Sequence, residues 1–167
     1  GNHATQPTSA KRPILQQNAT TGAYYLAFDG VDDCLVTSNI NFTNQNNLSL
    51  FTSVVFNNLS STSQAIAELS TASWQTQGTF SLIRGYEGTN SYALRRNFST
   101  NGAFEDLVSQ NNTNTKAVLT GIINSTLNEE YMRNFGTLIG SKTLTVSSET
   151  FKNYPLYIGI GEVTKFP

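Results

Sequence analysis

Along much of the chain the apolar residues recur at every second position. In Tyr24–Phe28, residues Tyr24, Leu26 and Phe28 share one face of an extended backbone. In "LSLFTSVVF", Leu48, Leu50, Val54 and Phe56 take one face, while Phe51 and Val55 take the other. A strand apolar on both faces is expected at the centre of a layered structure. "FSLIRG" from Phe80, "SYALRR" from Ser91, "AVLTGII" from Ala117 and "LYIGIG" from Leu156 continue the pattern, and their β-branched and aromatic content suits strands. Clusters of Gly, Asn and Ser separate them. Many short strands at this spacing predict an all-β fold of two antiparallel sheets packed face to face. Leu26, Phe28, Leu50, Val54, Phe56, Leu82, Leu94, Leu119, Ile123, Leu156 and Ile158 are expected between the sheets.

Two segments depart from this pattern. Residues 1–23 are polar and punctuated by Pro7 and Pro13, which predicts an extended segment wrapping the domain formed by residues 24–167. "TLNEEYMRNFG" fits a helix capped by Thr126, with Glu129 three residues on and Gly136 as its stop. It also fits a strand with Tyr131, Arg133 and Phe135 on one face and Met132 on the other. The strand neighbours favour the second reading.

Composition narrows the function. The 167 residues suit one domain, and a chain of this length buries roughly 70% of its unfolded surface, so disulfide staples are not required. Cys34 is the single cysteine, which rules out an intramolecular disulfide. Charged residues are 13% of the chain and the net charge is −1; basic residues cluster no further than the pairs Lys11-Arg12 and Arg95-Arg96. Nothing here draws nucleic acid or an anionic membrane, and no apolar run approaches the length of a membrane span. His3 is the only histidine and lies in the irregular N-terminal segment. No glycine loop of the phosphate-binding kind precedes a helix. Glycoside hydrolysis needs two carboxylates about 5–9 Å apart. Glu129 and Glu130 would face opposite ways in a strand, and Glu162 stands alone. The expectation is therefore no enzyme and no cofactor. Seven Asn-x-Ser/Thr sites occur, at Asn18, Asn41, Asn47, Asn58, Asn97, Asn111 and Asn124, in a chain so rich in these residues that several arise by chance.

"FDGVDD" concentrates candidate chemistry. Asp29-Gly30 is a turn signal, because glycine accepts positive φ and aspartate bonds the backbone that follows it. The bland reading is a hairpin connection between Tyr24–Phe28 and Cys34–Thr37. The alternative is calcium held by Asp29, Asp32 and Asp33, although a full shell takes six to eight oxygens.

"GNHATQPTSAKRPIL" followed by "LAFDGVDDCLV" resembles the opening of laminin-G-like, concanavalin A-like jelly-roll domains, common in bacteriophage structural proteins and in secreted bacterial surface proteins. "LSLFTSVVFNN" resembles the central strand of these domains. "AVLTGIINSTLNEEYMRNFGTLIGS" resembles the strand pair that follows, and "PLYIGIGE" the penultimate strand. The resemblance implies a jelly-roll sandwich, a fold that hosts lectins, adhesins, glucanases and spacers. It implies a non-catalytic module, extracellular or on a virion surface, that binds a surface glycan through multivalent display. The alternative is a structural spacer, decoration or subunit-contact domain among other subunits of one particle. A glycan would be met by Trp74, Tyr86 and Tyr92, with Gln75, Gln77, Asn90 and Arg95 close in sequence; each aromatic could equally be packing. Cys34 stands where the family often has an aromatic residue. The family also usually adds one more apolar strand after "YIGIGEV", so the chain is expected to be part of a longer polypeptide or to receive that strand from a neighbour.

Overall fold

The computed structural model describes residues 1–57, 63–71, 76–86, 89–98, 104–109, 112–145 and 147–159. The described residues form thirteen strands and one short 3-10 turn at Ser9–Lys11. The strands are β1 (Ala4–Thr5), β2 (Ile14–Gln17), β3 (Tyr24–Ala27), β4 (Cys34–Asn41), β5 (Asn47–Val55), β6 (Gln64–Leu69) and β7 (Thr79–Arg84). They continue with β8 (Tyr92–Asn97), β9 (Glu105–Val108), β10 (Lys116–Asn124), β11 (Glu129–Asn134), β12 (Thr137–Thr143) and β13 (Asn153–Gly159).

All pairings are antiparallel. A seven-stranded sheet runs β1-β4-β13-β6-β7-β8-β9, a four-stranded sheet runs β12-β11-β10-β5, and β2 and β3 pair as a ribbon. The period-two pattern explains how the two larger sheets meet. In β10, Ala117, Leu119 and Ile123 are buried and alternate with exposed Lys116 and Val118. They meet Leu69, Phe80, Leu82, Tyr92, Leu94 and Leu107 from the large sheet in one core, joined by Met132, Leu144 and Phe151. Phe151 packs edge-on to Phe80 and Phe98, with centroids 5.3 and 4.9 Å away. The layers approach closely at Gly121, where a β-carbon would stand 3.2 Å from Leu94.

The all-β expectation therefore holds, and "NEEYMRN" is a strand: Glu130 and Met132 face inward while Tyr131 and Arg133 face out. β11 turns into β12 through Phe135 and Gly136, both at positive φ (47° and 78°). Leu82, Leu94, Leu119 and Ile123 are buried as expected.

Several expectations fail. Leu26 is 42% exposed, because β3 pairs with β2 in the ribbon and enters neither large sheet. Residues 1–23 supply β1 and β2. "FDGVDD" links two sheets and closes no hairpin, since β4 pairs with β1 and β13. β5 lies at the edge of its sheet, with Phe51 and Val55 facing outward and 74% and 66% exposed. Phe28, Leu50, Val54, Phe56, Leu156 and Ile158 are half-buried rather than fully buried, and of these Leu50, Val54, Phe56 and Leu156 pack against the core as expected.

Candidate functional site

β7 and β8 are buried on both faces. On the face away from the core, antiparallel register lines up Tyr157, Glu68, Ser81, Arg95 and Asp106 in a row across five strands. The row ends in a polar cluster. Arg95 donates from Nε to Asp106 Oδ1 at 2.6 Å and from Nη2 to Oδ2 at 3.1 Å. Tyr86, just after β7, donates its hydroxyl to the same Oδ2 and receives Arg95 Nη2 at 3.2 Å. The Arg95 guanidinium lies 3.9 Å from the centre of the Phe104 ring and 5.3 Å from that of Tyr86.

The electrostatics follow from burial. Desolvation, then the Asp106 carboxylate, pushes the Tyr86 hydroxyl well above the ordinary tyrosine range. Burial alone would lower Arg95, but Asp106 outweighs it and the guanidinium is held charged. The side chains of Arg95 and Asp106 are 7% and 14% exposed, so this is an ion pair inside the protein and not a solvated one.

The neighbouring Arg96 faces the core and makes a second cluster. It pairs with Glu105 and donates to Ser125 Oγ at 3.0 Å and to the Thr145 carbonyl at 2.8 Å. Glu130, fully buried, has no hydrogen-bond partner among the described residues, and burial pushes its carboxyl up to about 8. A substrate could not touch it there.

The structure brings together two of the expected glycan residues, Tyr86 and Arg95. Asn90 lies near one end of β8, its carbonyl accepting Asn112 N–H at 3.0 Å. Gln77 donates to the Phe98 carbonyl. Tyr92 points the opposite way: its ring is buried in the core, 4.8 Å from the Arg84 guanidinium, so it offers no stacking face. Trp74 and Gln75 lie outside the described residues. Phe104, Asp106 and Glu68 were not anticipated. Their signal was the doublet Glu105-Asp106, which in antiparallel register opposes Arg96-Arg95 residue for residue.

The three aspartates make a closed turn. Asp29 Oδ1 accepts the N–H groups of Val31 at 2.8 Å and of Asp32 and Asp33 at 3.2 Å, and the Val31 amide foremost lowers its pKa. Asp33 Oδ2 accepts Asp29 N–H at 2.9 Å, and Lys11 Nζ lies 3.5 Å from Asp32. Oxygens of the three acids lie within 4.8 Å of one another. A calcium ion would draw on oxygens that the turn already uses, and three carboxylates alone fall short of its shell.

A shallow groove of about 560 Å³ separates the ribbon from the edge of the large sheet, lined among others by Thr5, Pro7, Arg12, Leu26 and Leu35. Fold and site define a two-layer antiparallel β protein with a buried ionic row. Comparison of the chain with models of known protein families gives no match, and comparison with curated proteins gives none either.

Proposed function

We propose that the chain is a non-catalytic contact module, a jelly-roll sandwich of the laminin-G-like kind. Displayed outside the cell or on a virion, it joins other structural subunits of one particle. The ribbon carries this reading. From Pro13 to Phe28 there is no charged residue, and Ile14, Leu15, Tyr24, Tyr25 and Leu26 are between 42% and 68% exposed. They lie on both faces of a two-stranded element, which is marginal in water unless something packs on it. Contiguous exposed apolar side chains of this kind mark contact surfaces. The test is sedimentation up to about millimolar protein, a range that reaches weak association. Leu15→Ser with Tyr24→Ser should weaken association and leave thermal unfolding unchanged. A chain that stays monomeric throughout argues against the reading.

A second reading, binding of a surface glycan, is favoured by the gathering of Tyr86, Phe104, Arg95 and Asp106, since sugars are held by aromatic faces and polar groups. Single sites of this type are weak, so the test uses the protein displayed in many copies on a glycan array. Tyr86→Ala should lose retention while the fold persists. No retention by the parent protein removes this reading.

A further inference from the structure

Arg84 ends β7 on the core-facing side, in line with Phe80 and Leu82. Cross-strand partners share a face, so Tyr92 of β8 and Gln64 of β6 flank it. Arg84 is 1% exposed and Tyr92 is wholly buried. One guanidinium nitrogen is accounted for, with Nη2 donating to the Asn112 carbonyl at 2.9 Å. Among the described residues, Nε, Nη1 and the Tyr92 hydroxyl have no hydrogen-bond partner. No carboxylate of the described residues pairs with Arg84 either. Their ion pairs join Lys11 to Asp32, Arg95 to Asp106, Arg96 to Glu105 and Lys152 to Glu149.

Taking an ion out of water is costly unless an opposite charge and hydrogen bonds offset the loss. Glu130, beside Arg96 at the other end of the same core, escapes by keeping its proton. Arginine has no such escape, because it is not deprotonated in proteins. Phe56 and Tyr92 supply part of what the charge needs, their ring centres lying 4.9 and 4.8 Å from the guanidinium carbon. These centres are only 6.3 Å from each other, so the rings do not sandwich the guanidinium but stand together on one flank of it. Burial raises the Tyr92 hydroxyl above the ordinary tyrosine range, with Arg84 opposing, so the phenol keeps its proton and can donate.

We propose that Arg84 and Tyr92 hold a small inorganic monoanion, of the size of chloride, between the layers at this end of the sandwich. The unmatched guanidinium N–H groups and the Tyr92 hydroxyl donate to it, and it balances the arginine charge. A water molecule could accept the same hydrogen bonds but would leave that charge unbalanced. Side chains this enclosed favour a single atom over a polyatomic acid. Arg84 is the last residue of β7, so the ion enters from the end of the sandwich and crosses neither sheet. The site is separate from the ribbon, and from the cluster of Tyr86, Arg95 and Asp106 on the opposite face of the large sheet.

The probe is chloride itself. Thermal unfolding of the whole chain is followed as sodium chloride replaces sodium isethionate at constant ionic strength. The melting temperature should rise by about 2–4 °C once chloride reaches about five times its dissociation constant. Tyr92→Phe keeps the ring and removes one donor, and should weaken chloride by about tenfold or more. Arg84→Met keeps the length of the side chain without its charge, and should abolish the response; if that variant does not fold, Tyr92→Phe decides. Crystals grown in sodium bromide should show an anomalous peak beside Arg84 and the Tyr92 hydroxyl. A parent chain whose melting temperature ignores chloride overturns the proposal. So do variants that respond as the parent does, and bromide crystals that hold only water there.

Discussion

Glu130 is a carboxyl placed where a charge is costly. Its folded pKa, pushed up to about 8 by burial against partial relief from Arg96 and Lys142, exceeds the ordinary 4.5. The folded state therefore holds its proton more tightly than the unfolded one. The corresponding stability is full below about pH 4.5 and falls by about 1.4 kcal/mol per pH unit as pH rises toward 8. Thermal unfolding at pH 5, 7 and 9 should show this decline, and Glu130→Gln should flatten it; a flat profile in the parent protein contradicts the assignment. Phe135 is a second costly residue, an exposed aromatic at φ 47°. Left-handed backbone at a bulky residue costs about 1 kcal/mol or more, and asparagine is at home there, so Phe135→Asn should raise stability by about that amount in denaturant titration. Neither residue was legible beforehand. The sequence placed Glu129 and Glu130 on opposite faces, as observed, but nothing in it said that the inward one would find no partner. Arg95-Arg96 stood out in the sequence only as a basic pair, with Arg95 near the expected glycan residues. Their separate roles, one on each face of the large sheet, depend on β9 arriving in register.

The elements were easier to read, because their signals are local. Period two located β5, β7, β8, β10 and β13. The helix reading of 126–136 failed because Glu130 and Met132 are claimed by the core, a tertiary demand that capping chemistry does not report. Asp29-Gly30 was legible as a turn for the same local reason: Gly30 sits at φ 76°. A β-carbon on Gly30 would meet nothing within 4 Å, so the cost of Gly30→Val comes from its backbone alone. It should destabilise the domain by about 1 kcal/mol or more, measured by urea unfolding. Because the turn closes on its own N–H groups, a chelator should leave the melting temperature unchanged. A clear drop would establish a metal at Asp29, Asp32 and Asp33.

Strand order is a property of the whole molecule, and here the sequence was least informative. Alternation shows which side of a strand is apolar, not which strand lies beside it. β5 was therefore expected at the centre, from Phe51 and Val55, and stands at an edge; Leu26 was expected in the core and lies in the ribbon. The same limit applies to the site, where Tyr86 and Arg95 were foreseen but Asp106, three strands from Glu68 in sheet order, was not. One placement has a consequence for how the protein is made. β13 lies between β4 and β6 in the large sheet, although it is the last of the described strands. Until it emerges, the β1-β4 pair and the β6-β9 group are separate pieces with two facing open edges. At ordinary rates of synthesis that interval lasts roughly two to ten seconds. The newborn chain spends it unable to join its two halves, and it is then most exposed to pairing with the wrong neighbour. A ribosome stalled before Asn153 would hold a polypeptide whose large sheet is still in two parts.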